Sequence, residues 1–124
     1  MADLLGNGAY VSECGKYRYE LTRHVGAGSF TYAFFGINPS TADAMTDDQT
    51  VRKWRGYCER NHVGRFLVGN VFSYRATDVR ELATTTHCLF GEDHWRIQDH
   101  IIRSADALMP CWGSQKKVPD HLRP

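Results

Sequence analysis

Two apolar runs constrain this chain more than any other feature: Phe30-Thr31-Tyr32-Ala33-Phe34-Phe35-Gly36-Ile37 and Phe66-Leu67-Val68-Gly69-Asn70-Val71-Phe72. Neither alternates apolar with polar residues, so neither suits a sheet with one wet face. Each reads as an interior strand covered on both sides. Between them Val51, Trp54 and Cys58 recur at helical spacing with Tyr57 beside them, which predicts one amphipathic helix over residues 47–60. Thr46 with Gln49 three residues later fits a capping box, and Asp47 and Asp48 suit the positive end of the helix dipole. Asn61-His62-Val63-Gly64 then closes the helix. Strand, helix and strand in that order make a βαβ unit, which implies parallel pairing and a right-handed crossover.

The flanking segments extend this unit. Residues 17–23 alternate imperfectly and stop before Gly26-Ala27-Gly28-Ser29, as a first strand or hairpin arm does. Residues 1–16 are glycine-rich and read as a flexible lead-in to a single α/β domain over residues 17–124, with an abbreviated C-terminus. Residues 78–83 suggest a short helix. Residues 91–107 suggest a longer covering helix with Trp95, Ile101, Ile102, Ala105 and Leu108 on one broad apolar face. A third strand, short and interrupted by Pro110, falls at residues 107–113. The expected fold is a three-layer α/β domain with a short, mainly parallel central sheet flanked by helices.

Composition excludes several classes. At 124 residues, 42% hydrophobic and 23% charged, the chain has the balance of one globular domain rather than of a disordered segment. A formal charge of +1 excludes a generally basic nucleic-acid binder. It leaves room for a local basic groove from Arg52, Lys53, Arg55, Arg65, Arg75, Lys116 and Lys117. No run approaches the ~20 apolar residues of a membrane span, and Met1-Ala2-Asp3-Leu4-Leu5-Gly6 lacks the regions of a signal peptide. Cys14, Cys58, Cys88 and Cys111 match no disulfide or zinc spacing, so reduced thiols in a cytoplasmic protein are expected, with Cys58 and Cys111 in the core. His87, His94 and His100 share no helical ligand face. No metal and no cofactor are expected.

In parallel sheets, ligands sit beyond the carboxyl ends of the strands. Three polar strand ends meet that description here: Asn38-Pro39-Ser40-Thr41-Ala42-Asp43, Asn70-Val71-Phe72-Ser73-Tyr74-Arg75-Ala76-Thr77-Asp78, and Trp112-Gly113-Ser114-Gln115-Lys116-Lys117. If they converge, Ser40, Thr41, Asn70, Ser73, Arg75 and Trp112 become substrate-binding candidates. Asn38 has an amide that both donates and accepts, suited to a water or a base edge; an Asn-Pro turn satisfying its own backbone is the alternative. Asp43 and Asp48 suit a general base or a water-orienting group, or equally a helix cap. Arg75 suits a phosphate or carboxylate, or open solvent. Phe72, Tyr74 and Trp112 suit base stacking or the core. No Walker loop, dinucleotide fingerprint or Gly-x-Ser-x-Gly elbow is present.

Those blocks, with Asp47-Asp48-Gln49-Thr50-Val51-Arg52, resemble a bacterial and phage family marked by Asn-Pro-Ser-Thr-Ala-Asp followed by Asp-Asp-Pro-Thr. The resemblance covers about residues 17–113, with Gln49 in place of the proline. More remotely, Gly36-Ile37-Asn38-Pro39 and Trp112-Gly113-Ser114 are similar to motifs of the uracil-DNA glycosylase superfamily. That resemblance implies a parallel sheet between helices, a base flipped into a strand-end pocket, and metal-free hydrolysis of the N-glycosidic bond. It also implies that Asn38 holds the water and Asn70 reads a base edge. The later His-Pro loop of those enzymes has no clear match; only Pro119-Asp120-His121-Leu122-Arg123-Pro124 stands in its place. A missing last strand would expose a sheet edge and invite a homodimer.

Two functions follow as expectations. The first is hydrolysis of an N-glycosidic bond in a nucleotide, nucleoside or flipped DNA base, with Asn38, Asp43 and Asp48 as catalytic residues. The second is a non-catalytic nucleotide-binding or phage inhibitory protein acting on a host factor.

Overall fold

The computed structural model describes residues 7–39, 42, 46–76, 78 and 80–112. In chain order the elements are β1 (Gly8–Val11), β2 (Arg18–His24), β3 (Thr31–Gly36), α1 (Gln49–Arg60), β4 (Arg65–Asn70), α2 (Glu81–Thr84), α3 (His94–Ser104) and β5 (Ala107–Pro110). The two apolar runs become β3 and β4, paired in parallel from Thr31 opposite Arg65 to Gly36 opposite Asn70. Helix α1 joins them. β5 adds to the other side of β3, also in parallel.

The sheet is mixed rather than mainly parallel. Its order is β1-β2-β4-β3-β5, and both β2–β4 and β1–β2 are antiparallel. The cause is local. β1 and β2 are joined by a tight turn in which Ser12 N–H donates to Tyr17 O, Gly15 N–H donates to Ser12 O, and Gly15 has φ of 76°. So short a connection permits only antiparallel pairing. Residues 8–11, read from their glycine content as part of a lead-in, therefore form an edge strand. Four residues are too few to show a sequence period, and partnership with β2 decides them.

Helices cover both faces. On one, Val51 and Cys58 of α1 pack on Leu21, Phe34, Phe66 and Val68, and Trp54 stacks on Phe34 at 5.0 Å with ring planes 10° apart. On the other, Ile97 and Ile101 of α3 pack on Tyr19, Ala33 and Leu67. The predicted face of α3 is corrected: Trp95 and Ile102 are exposed, while His94 and Gln98 are buried with Ile97 and Ile101. Gln98 can be buried because both ends of its amide are engaged, donating to Tyr19 O at 2.8 Å and accepting Asn70 N–H at 3.3 Å. α3 is also shorter than residues 91–107. Gly91 at φ 79° precedes it, and Ala105 turns extended so that Asp106 N–H reaches Thr31 O, starting β5.

The start of α1 also differs from its sequence reading. Asp48, not Thr46, is the N-cap, its Oδ1 accepting Val51 N–H at 2.9 Å. Asp47 has turned away to meet the buried Arg23 of β2 at 2.6 Å and Arg55 at 3.2 Å. The C-terminus closes as expected, with His62 at φ 57° and Val63 N–H returning to Cys58 O at 3.0 Å.

A β-bulge in β2 separates the two layers. Tyr10 pairs with Glu20 but Val11 pairs with Arg18, leaving Tyr19 as the extra residue. Leu21 and Arg18 consequently lie on the α1 side, Leu21 in its core and Arg18 beside Val51 and Trp54. Tyr19 and Glu20 lie on the α3 side, against Ile97 and His100 respectively. No helix among the described residues is long and apolar enough to cross a membrane.

The Arg23–Asp47 pair makes the first prediction. Burial raises the Asp47 carboxyl, but the Arg23 hydrogen bond and the charges of Arg23 and Arg55 more than offset it, holding the group below its ordinary value of 3.8. A depressed folded-state pKa contributes stability that is complete above the unfolded value and lost as pH falls through the folded one. Asp47→Asn should therefore cost about 2 kcal/mol in urea denaturation at neutral pH, because it removes the carboxylate that Arg23 and Arg55 share. The cost should shrink below about pH 4. An equal loss at acid and neutral pH would contradict this account.

Candidate functional site

The carboxyl ends of β3 and β4 meet at a polar cavity of about 220 Å³. The backbone builds its floor. Pairing continues past both strands, Val71 N–H to Gly36 O and Phe72 N–H to Ile37 O, so the two exit loops leave side by side. Gly36 leaves room for the Asn70 amide: a Cβ here would come within 2.9 Å of Asn70 Oδ1 and displace it. Asn38 then ties the loops together, its Nδ2 donating to Ala76 O at 2.6 Å and Pro39 O at 3.0 Å. Two carbonyls can only accept, which fixes the amide orientation and leaves Oδ1 as the atom Asn38 can offer a ligand.

Arg18, Asn38, Asp48, Trp54, Asn70 and Trp112 line the cavity from five parts of the chain. The β2 bulge delivers Arg18. Its backbone N–H donates to Ser73 O just beyond β4, and its guanidinium donates to Ala42 O at 2.8 Å. A cation thus stands nearly buried at 3% exposure in the cavity wall. Asp48 reaches the same space from the start of α1, one oxygen engaged by Val51 N–H and one left over. Trp54 presents the indole whose other face stacks on Phe34. Trp112 follows β5 and is 42% exposed.

Of the residues proposed from sequence, Asn38, Asp48, Asn70 and Trp112 come together. Ser40, Thr41 and Asp43 lie outside the described residues, as do Lys116, Lys117 and His121. Ser73 and Arg75 do not line the cavity. Ser73 is fully buried on the α3 side, 2.6 Å from His94 Nδ1, and Arg75 sits beside the β1–β2 turn, its N–H donating to Lys16 O. A chain that curls across the start of β2 after β4 carries both away from the cavity. Phe72 is buried and Tyr74 packs on Tyr17 and His87 rather than facing this space.

Sequence reading missed Arg18, Trp54 as a wall, and Cys111. Trp54 was legible as apolar, and its position 6 residues after the Asp48 cap placed it near the strand ends. Arg18 carries no such signal, because a bulge has none. Cys111 is exposed rather than in the core, since it follows β5, the outermost strand on that side among the described residues. Its thiol is nonetheless raised by burial against the cavity wall, where Trp54 lies within hydrogen-bond reach. Among the described residues no three His, Cys, Asp or Glu side chains cluster as a metal site would require.

Fold and site together define a mixed α/β domain with a helix-flanked sheet and a polar, indole-walled cavity at its strand ends. Residues 18–123 match the family model described as "Protein of unknown function (DUF1643)", and the chain belongs to that family. No curated protein and no solved structure matches it.

The thiols offer a check on this geometry. Hydrogen bonding from Ser12 lowers Cys14, and backbone hydrogen bonds from Gly91 and Phe90 lower Cys88. Burial raises Cys111, and raises Cys58 to about 11. Because the thiolate is the nucleophile, iodoacetamide at pH 7 should label Cys14 and Cys88 first, Cys111 later, and Cys58 only on unfolding. Peptide mass mapping reads the order; Cys111 labelled ahead of Cys14 would mean that its thiol does not face the cavity.

Proposed function

We propose that this domain hydrolyses the N-glycosidic bond of a nucleobase seated at the strand ends, using its three-layer fold in the manner of the uracil-DNA glycosylases. The observation that carries the reading is the meeting of an amide, a carboxylate and a cation, Asn38, Asp48 and Arg18, between two indoles. The cavity, about 220 Å³, falls below the roughly 300–1,000 Å³ of pockets for larger ligands. It suits one planar ring, with the sugar left at the mouth.

In this reaction a water oxygen bonds to the anomeric carbon as the bond from that carbon to the base nitrogen breaks, and the electron pair leaves with the base. Asn38 Oδ1 accepts a hydrogen bond from the water and orients it. The free carboxylate oxygen of Asp48 takes the water's proton. Negative charge growing on the departing base meets the Arg18 guanidinium, whose near-complete burial strengthens the interaction. Trp54 and Trp112 hold the ring by stacking, and the Asn70 amide reads its edge by donating and accepting. Arg75, which the sequence suggested for phosphate, has no part in this arrangement. A reducing, cytoplasmic setting accords with four free cysteines, three of them exposed.

A second reading is a nucleotide-binding or phage inhibitory protein that acts on a host factor without catalysis. One observation favours it: Asn38 and Asp48 each already hold backbone groups, work that binding alone would explain.

Chromatography of free base released from nucleosides, nucleotides and single-stranded oligonucleotides separates the two. Asp48→Asn is the informative variant, because asparagine caps a helix about as well as aspartate. It should leave stability within about 0.5 kcal/mol of the parent and slow base release by roughly 10²–10⁴-fold. Tight binding with no release by the unaltered chain would overturn hydrolysis in favour of the second reading.

A further inference from the structure

A second cavity adjoins the first. On the α3 side of β4 a recess of about 350 Å³ is lined by Phe35, Phe72, Phe90, Trp95 and Trp112, with His94 and Gln98 at its base. Asn70 and Trp112 belong to both cavities, so the two meet along those side chains. The recess is walled by rings in mutual contact: Phe90 lies 5.1 Å from Trp95 and 5.6 Å from Phe72. Its rim stays in water, with Trp95 68% exposed, Trp112 42% and Val71 41%.

Two polar side chains at the base of this recess are already engaged. Gln98 is held by Tyr19 O and Asn70 N–H, and His94 Nδ1 pairs with the buried Ser73 hydroxyl. Burial pushes His94 down to about 4, so the ring is neutral at physiological pH. An uncharged recess walled by aromatic rings selects for a flat ring, and apart from the Asn70 amide it shares with the first cavity it asks little of that ring's hydrogen-bonding pattern. That is the chemistry of a base-tolerant stacking platform.

We propose that this recess receives the nucleobase adjacent to the one seated at the strand ends, making the ligand an unpaired strand of at least two nucleotides. The proposal rests on the nucleobase reading of the first cavity. Bases stacked in a duplex lie about 3.4 Å apart, which leaves no room for an indole between them. Two cavities divided by Trp112 therefore require two neighbouring bases to be parted around it, and an unpaired strand can do this without melting a helix.

The test compares nucleoside monophosphates, unpaired trinucleotides and a short duplex as ligands of the full chain. Tryptophan fluorescence and titration calorimetry give the affinities. The trinucleotide should bind about tenfold more tightly than the monophosphate, the scale of one stacked base. Trp95→Ala, at an exposed position, should abolish that gain and leave monophosphate binding unchanged, while Trp95→Phe should retain most of it. Equal affinity for monophosphate and trinucleotide would overturn the second subsite and leave the first cavity's reading standing. Equal weakening of both ligands by Trp95→Ala, or a duplex bound as tightly as the single strand, would also overturn it. Failure of every one of these ligands to bind would overturn both readings together.

Discussion

β4 sits in the middle of five strands and is buried along nearly its whole length, Phe66, Leu67 and Val68 each at 3% exposure or less. A strand with apolar side chains on both faces is stable only if both faces are covered. That demand brings α1 to one side and α3 to the other, and it sets the size of each covering surface. It also explains the polar residues that survive inside. Gln98 is buried because the end of β4 leaves the Asn70 N–H without a strand partner there, and an amide on α3 satisfies it.

The same strand organises the two cavities. Its carboxyl end places Asn70 between two cavities, one polar and one aromatic. Around it, groups from β2, the β3 exit, the start of α1 and the residue after β5 reach a common point, though none is near another in sequence. Rigidity comes from backbone contacts rather than from side-chain pairs. The Asn38 amide spans two loops, and the β2 start is held to the loop after β4 through Ser73 and the Tyr17–Tyr74 bridge.

Some of this was legible in the sequence. β3, α1 and β4 were readable because unbroken apolar runs and a helical apolar stripe have few other interpretations. Asn38, Asp48, Asn70 and Trp112 were readable because strand ends converge whenever strands are parallel. What failed did so for physical reasons. Trp95 and Ile102 were assigned to the core by their apolarity, yet His94 and Gln98 took the buried positions because Ser73 and the β4 backbone could satisfy them. Ser73 and Arg75 follow a strand end in sequence, but the chain turns back over β2 and carries them off. β1 was too short to show a pattern, and Arg18 depended on a pairing irregularity that only the partner strand reveals.

That irregularity has an evolutionary reading. Downstream of the bulge, β2 is clamped in register by β4, and upstream Arg18 is clamped by the Ser73 carbonyl. The cation of the cavity is thus positioned independently of the turn between β1 and β2. Insertions or deletions around Cys14 and Gly15 can accumulate without moving it. Were β2 to pair without the bulge, Tyr19 would stand opposite Val11 and face α1 in place of Arg18. The hairpin is free to drift in length, while the bulge decides whether an arginine or a tyrosine stands on the Asp48 side of the sheet.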